Sequence, residues 1–339
     1  MNILGFTKQN SAVGYHRIML PLHYMKQDGL IDGHVRLSDT LNDESFQGHN
    51  FDIVIINRMI EGVKINELLE YKKKYGFKLI IDIDDYWVLD PWHILIFVYP
   101  TEEIIEYIKA ADFVTVTNEL LYAEVKALNQ NNVDIVANAL PFDEDQFTDV
   151  RTESNGRTRF NYVAGSTHEE DVFNIKNALK RLQTDTEFRN NAELIISGFQ
   201  DHPIWHRMAT YYSGGHKTNF RIQNILPIGE YMNLYNDTDV ALAPLQNTFF
   251  NQCKSNLKVL ESGAKRVPIL TSNVSPYKEC PYAIKADNSR QWYKEMKRLT
   301  KDAIYRKEYG EANANWCREH FHIRKENLKR KHIYEAKSY

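Results

Sequence analysis

Short apolar runs alternate with amphipathic helical segments along nearly the whole of this chain, and the runs are apolar at almost every position. Phe51–Asn57, for example, reads FDIVIIN. A strand of that kind is covered on both faces, the situation of a strand in a parallel sheet flanked by helices. Asn2–Phe6, Lys78–Ile83, Phe113–Thr117 and Val133–Ala137 read as further strands. Helices are predicted from Gly14 to about Lys26, over Ile65–Tyr75, from Thr101 as N-cap to Ala111, and over Glu119–Leu128. Alternation of this type implies a doubly wound α/β sheet.

The pattern breaks at Pro141–Arg159, which is rich in Asp, Glu, Thr, Asn and Gly, and then resumes. Strands are predicted at Phe160–Ala164, Glu193–Ser197, Phe220–Ile225, Asp239–Leu245 and Val267–Thr271. Helices are predicted at Phe173–Leu182, His206–Tyr212, Glu230–Asn236, Lys254–Ala264, Ser289–Thr300 and Ala303–Glu319. The 339 residues are enough for two domains. The expected division is a Rossmann-like domain over residues 1–148, a linker over 149–159, a second Rossmann-like domain over 160–317, and a helical tail over 318–339.

Charge differs between the halves. Residues 1–150 carry 12 Lys+Arg against 24 Asp+Glu, whereas residues 151–339 carry 30 against 21. Two domains with different ligands would produce this, as would unselected drift of surface charge. Cys253, Cys280 and Cys317 are too few and too scattered for a zinc motif or a disulfide framework, which points to a reducing, cytoplasmic setting. Met1–Phe6 lacks the features of a signal peptide. The longest wholly apolar run, Ile94–Val98, is far short of the roughly 20 residues of a membrane span. Trp87, Trp92 and Ile94–Tyr99 are compatible with contact at a membrane surface or with an aromatic-packed loop.

The stretch Asp239–Tyr277 carries the chemistry. On the predicted helix from Lys254, the residues Lys254, Lys258 and Glu261 fall at i, i+4 and i+7, beside a face of Leu257, Leu260 and Ala264. A helix start after a parallel strand offers free N–H groups and a positive dipole end to a phosphate. Lysines there add charge, and a glutamate further on can accept from ribose hydroxyls. A solvated Lys/Glu face is the competing reading.

These residues resemble those of retaining, family-four-like glycosyltransferases of the GT-B fold. The resemblance lies in Asp239-Val240-Ala241-Leu242-Ala243-Pro244-Leu245, in Phe250-Asn251 with Lys254-Ser255, Lys258 and Glu261, and in Gly263-Ala264 with Val267-Pro268-Ile269. Gly165-Ser166-Thr167-His168 followed by Asp171 resembles the segment after the first strand of that group's second domain. Ile81-Asp82-Ile83-Asp84-Asp85 resembles an acidic strand end in the first domain. Two departures stand out. Cys253 occupies the place where many relatives carry a first Glu, and Arg266 replaces the usual Gly after the helix.

The resemblance implies two Rossmann-like domains facing across a cleft, with the C-terminal helix crossing back to the first. It implies a hexosyl- or pentosyltransferase that uses a nucleotide-diphosphate sugar and requires no cofactor or metal. Lys254 and Lys258 would neutralise the leaving diphosphate. Glu261 would bind the ribose, and Gly165, Ser166 and Ser255 would contact the donor. His168 and Asp84 would complete the catalytic set. Gly14, His16, Arg17, Arg58 and Asp85 would lie on the acceptor side, and domain closure would bring the reactants together. The acceptor would be a glycan or small molecule. A hydroxymethylated DNA base is conceivable but is disfavoured by the acidic first half, although the tail carries Arg324, Lys325, Lys329, Arg330 and Lys331.

Other readings remain. A protein of this fold could bind nucleotide-sugars without turnover, and Cys253 favours that. Asp82-Ile83-Asp84 is also an Asp-x-Asp, the metal–diphosphate motif of GT-A enzymes and part of the nucleophile motif of Asp-dependent phosphatases, although Tyr86 stands where the latter require Thr. Asp84 and Asp85 could simply terminate a strand. His16, His93 and His168 could each donate to a sugar or phosphate oxygen or be structural.

Overall fold

The computed structural model describes residues 1–129, 132–216 and 218–337, so the last two residues of the predicted tail lie outside the described residues. The chain forms two compact units. The first comprises Met1–Ala139, Cys253–Ser255 and Phe321–Tyr339, and the second comprises Leu140–Gln252 and Asn256–His320.

The first unit is built from β1 (Ile3–Phe6), α1 (Ala12–Gly14), α2 (Leu20–Gln27), β2 (Val35–Ser38), β3 (Ile53–Asn57), α3 (Ile65–Tyr75), β4 (Lys78–Ile83), α4 (Thr101–Ala110), β5 (Phe113–Val116), α5 (Glu119–Leu128) and β6 (Val133–Ile135). Its sheet has the order β2-β1-β3-β4-β5-β6, parallel throughout. β3 shows why continuous apolar strands were needed. Val54 and Ile56 enter one core with Leu68, Leu79 and Ile104, while Ile53 and Ile55 enter another with Ile18, Leu22 and Ile333. The C-terminal helix Ile323–Lys337 covers this second face, where Asn327 donates to the Pro21 carbonyl at 3.1 Å.

The helix expected from Gly14 to Lys26 is not uniform. Between α1 and α2 the residues Tyr15–Met19 wind as a π-helix. Pro21 has no N–H to give the Arg17 carbonyl and its ring crowds that carbonyl, so the turn before it widens.

The second unit is built from β7 (Thr158–Val163), α6 (Glu169–Thr184), α7 (Thr186–Asn191), β8 (Ala192–Phe199), α8 (Pro203–Ser213), β9 (Phe220–Asn224), β10 (Val240–Ala243), α9 (Phe249–Gln252), α10 (Leu257–Ala264), β11 (Ile269–Ser272), β12 (Ile284–Ala286), α11 (Ser289–Lys301) and α12 (Ala303–His320). Its order is β12-β11-β10-β7-β8-β9, again parallel. Gly198 sits at an irregularity in β8 with φ +92°, and a Cβ there would lie 2.5 Å from the Ala164 carbonyl oxygen. Only glycine allows β8 to approach the end of β7 so closely.

Two differences from the sequence reading bear on the site. Leu140, Phe142 and Phe147 are buried, and Gln146 bonds the Ile228 carbonyl and the Met232 amide, so residues 140–148 belong to the second unit. Their polar neighbours disguise these anchors. The helix expected from Lys254 starts at Leu257 instead. The Cys253 and Lys254 carbonyls both accept from the Asn118 amide, at 2.7 and 3.4 Å. That tertiary bond replaces the helical one, and Lys254 therefore does not share a helix face with Lys258 and Glu261.

Candidate functional site

In the second unit, β7 and β10 are neighbours from which the strand order runs in opposite directions. Ligands of open α/β sheets bind outside the carboxyl ends of strands at such a switch point. Gly165 and Ser166 follow β7, and Gly165 is exposed with open space around its α-carbon. His168 closes this turn and Asp171 lies in the first turn of α6. Asp171 is buried and accepts from three donors: His168 Nδ1 at 2.7 Å, the Gln246 amide at 2.7 Å and Asn251 Nδ2 at 3.2 Å. Gln246 and Asn251 follow β10, so one carboxylate ties together the two loops that flank the switch point. An ionised carboxylate only accepts, so His168 Nδ1 carries the proton and Nε2 is the ring's acceptor.

The first turn of α6 holds Glu169, Glu170 and Asp171 and does not suit an anion. The first turn of α10 has no acidic residue and carries Lys258. Lys258 Nζ donates to Glu261 Oε2 at 2.8 Å, and the Tyr235 hydroxyl donates to the same oxygen at 2.6 Å. Glu261 is buried, so these bonds offset the desolvation of its charge. Burial, and then Glu261, push the Tyr235 phenol well above its ordinary pKa, keeping it a donor. Tyr277 is raised by burial first and then by the charges of Asp171 and Glu261. The buried Tyr162 hydroxyl, also near Asp171, has no hydrogen-bond partner among the described residues. Such a group is costly unless a ligand or water completes it.

Lys254 and Ser255 belong to the first unit. Lys254 Nζ is 3.6 Å from Asp85, and Ser255 Oγ accepts from Asn138 Nδ2 at 2.7 Å. Cys253 is packed into the first unit's apolar core, where burial, and then the charges of Glu124 and Asp85, push its thiol up to about 12. A glutamate at this position would set a third carboxylate beside those two.

The first unit has its own switch point, between β1 and β3. A pocket of about 500 Å³ lies there, lined at the strand ends by Phe6, Thr7, Asn57 and Arg58. Arg58 has φ 60°, a left-handed conformation that is strained for an arginine. Its guanidinium forks onto Asp84 at 2.9 and 3.0 Å and also reaches Asp85 and the Tyr99 hydroxyl, each at 3.0 Å. Burial opposes the charge of Arg58, but Asp84 and Asp85 outweigh it and raise its pKa well above the usual value. The two acids are thus committed to a cation. Among the described residues no group of three or more His, Cys, Asp or Glu side chains is arranged to hold a metal.

Gly14, His16 and Arg17 lie on the wound segment after β1, and His16 and Arg17 are buried. Arg17 is 1% exposed and forks onto Asp82 at 2.8 Å twice, with further bonds to the Val136 carbonyl and Asn138 Oδ1. Asp82 also accepts from Thr115 at 2.6 Å. A carboxylate enclosed in this way is not available as a phosphatase nucleophile. In the tail, Arg330 is buried and Arg324 pairs with Asp28, so these cations do not form a solvated basic stripe. Among the described residues no helix is long and apolar enough to cross a membrane.

The sequence reading gave no role to Tyr235, Asn251, Asn118 and Asn138, although all four hold parts of these sites. Asn118 and Asn138 are each a polar residue just beyond a strand, at the edge where such sheets bind, and that position was the available signal. Tyr235 sits in an apolar turn before β10 and carried none.

No family model matches the sequence, and no curated protein matches it. Solved structures do match its fold. Anabaena HepE in complex with UDP and glucose superimposes with a TM-score of 0.66 at 10% identity, over 99% of this chain and 100% of that one. The OtsA apo structure gives 0.63 at 10% identity, over 97% and 98%. A UDP-forming α,α-trehalose-phosphate synthase from Burkholderia xenovorans gives 0.59 at 12% identity, over 96% and 84%. At such identities the likeness establishes the fold: two Rossmann-like units of the GT-B class.

Proposed function

We propose that the protein is a glycosyltransferase that moves a hexosyl or pentosyl group from a nucleotide-diphosphate sugar to an acceptor hydroxyl, with retention and without a metal. The observation that carries this reading is the Lys258–Glu261–Tyr235 group at the acid-free start of α10, within a chain of the GT-B fold. Lys258, with Lys254, neutralises the diphosphate as it leaves. Glu261, a carboxylate held near this helix start, accepts from the ribose hydroxyls. Gly165, Ser166 and Ser255 contact the donor, and His168 Nε2, oriented through Asp171, takes a hydroxyl of the transferred sugar. On the acceptor side, Asp84 and Asp85 act with Arg58. Gly14, His16 and Arg17 form the floor, with Arg17 working through Asp82 rather than by touching the acceptor. A DNA acceptor is not favoured, given the acidity of the first half and the buried or paired arginines of the tail.

The test is a thermal-shift and hydrolysis screen against UDP-, GDP-, ADP-, CDP- and TDP-sugars in chelator. A donor at a hundredfold its dissociation constant stabilises by about 2.7 kcal/mol. One nucleotide series should stabilise and be slowly hydrolysed, with the product anomer read by NMR once an acceptor is found. No response to any series would overturn the reading, and strict dependence on a divalent ion would overturn its metal-free form. A binding protein without turnover is the second reading, favoured by Cys253 in the place where many relatives carry a Glu. It predicts stabilisation with neither hydrolysis nor transfer.

A further inference from the structure

The connection from β4 to α4 is held at both ends and exposes apolar side chains between them. Trp87 is buried, and its carbonyl accepts from Thr101 Oγ1 at 2.8 Å. Tyr99 is bonded to Arg58. Internal turns close the segment, with Ile96 bonding the His93 carbonyl and Val98 bonding the Leu95 carbonyl. Within this frame Phe97 is 97% exposed, Val98 75% and Trp92 55%, with Val88, Ile94 and Leu95 exposed beside them. A patch of this kind on one short segment marks an interaction site.

The patch is continuous with the 500 Å³ pocket, because Val98, Tyr99 and Pro100 line that pocket. The cations that line it are already paired: Lys8 with Glu61, Lys64 with Glu103, and Arg58 with Asp84 and Asp85. The Lys8 and Lys64 pairs are exposed and weak, but Arg58 is largely enclosed between two carboxylates, so a phosphorylated head group would compete with these, whereas neutral hydroxyls can bond to them. The pocket therefore suits an uncharged polyhydroxyl head, and the segment at its mouth suits an apolar tail.

We propose that this site takes an amphipathic acceptor: an uncharged sugar head in the pocket, with a single alkyl or prenyl-type chain lying along Trp92, Phe97 and Val98. The proposal rests on the reading of the first unit as the acceptor side. The occupant is one amphiphile rather than a bilayer, because the apolar residues lead into a pocket and the first half of the chain is acidic, which repels anionic lipid surfaces.

The test is calorimetric binding of octyl β-glucoside below its micelle concentration, against methyl β-glucoside and octyl tri(ethylene glycol). Each buried methylene contributes roughly a fourfold gain. The octyl glucoside should therefore bind at least roughly tenfold more tightly than the methyl one even if only part of the tail is covered. It should also bind more tightly than the sugar-free amphiphile. The doubly substituted Phe97→Ser/Val98→Ser protein, altered only at exposed positions, should lose the gain while keeping its Tm. Equal binding of the two glucosides, or a gain that survives in the variant, overturns the proposal. So does equal binding of the sugar-free amphiphile, or capture on phosphatidylcholine vesicles that octyl glucoside does not reverse. No donor is needed, so failure of the nucleotide-sugar screen beside successful octyl binding would refute the transferase reading alone.

Discussion

Asp171→Asn isolates one interaction in the proposed donor site. The carboxylate holds His168 Nδ1, the Gln246 amide and Asn251 Nδ2 at 2.7, 2.7 and 3.2 Å. Asparagine has the same shape and keeps one oxygen, which can serve the Gln246 amide and Asn251. Its NH2 group then faces His168 Nδ1, which must become an acceptor and move its proton to Nε2. The geometry survives, but the tautomer inverts and one charge-assisted bond is lost. Such a bond is worth about 1.5–3 kcal/mol. At about 1.4 kcal/mol per tenfold, the expected loss is roughly tenfold to a hundredfold in kcat, with the donor KM changed by less than about threefold. The assay is steady-state transfer or donor hydrolysis, with 15N NMR of the His168 ring reporting which nitrogen is protonated. A kcat within twofold of the parent, in a protein whose His168→Ala counterpart is strongly impaired, would refute the positioning argument. So would an unchanged ring tautomer.

Four further single substitutions bear on other parts of the structure. Lys258→Ala and Glu261→Ala should each remove most transfer activity and most of the nucleotide-induced rise in Tm, and near-normal turnover in both would remove these residues from the site. Arg17→Met leaves Asp82 buried with Thr115 and Asn57 as its remaining side-chain partners, and should cost about 3–5 kcal/mol in urea unfolding, much of it recovered in the Arg17→Met/Asp82→Leu protein. An equal loss in both would show that packing, not the uncompensated charge, carries the effect. Lys265 is enclosed, and burial lowers its pKa to about 8 from 10.5. Between those values the unfolded chain binds more protons than the folded one, so this group makes stability rise with pH through that window and adds no slope below it. Lys265→Met should flatten that rise when unfolding is compared at pH 7, 9 and 10, and an unaltered slope would contradict the assignment.

The parallel sheets were legible because burial on both faces leaves no polar alternation. β3 divides Val54 and Ile56 from Ile53 and Ile55 between two cores, and its sequence shows only that neither face is wet. The loops after β7 and β10 stood out for a related reason, since residues just beyond such strands have few roles other than turn or ligand contact. Asp171, the residue that joins those loops, lay inside the quoted motif, yet its three bonds could not be read from it. Two of its donors are 75 and 80 positions away, and helical spacing gives only local neighbours.

The region around Lys254 failed for the opposite reason. Its i, i+4, i+7 spacing is helical, and nothing local forbids a helix there. A hydrogen bond from Asn118, 135 residues distant, and burial of Cys253 in the first unit's core take those residues out of the helix. The same burial accounts for the departure at Cys253. A small apolar side chain fits an enclosed position beside Glu124 and Asp85, where a carboxylate would meet both desolvation and like charge. Cys253, which stands where many relatives carry a first Glu, is in the folded chain a packing residue, and the adjoining Lys254 lies within 3.6 Å of Asp85. If the chain is a transferase, its positive charge for the departing diphosphate therefore rests first on Lys258, the lysine that α10 itself holds against Glu261.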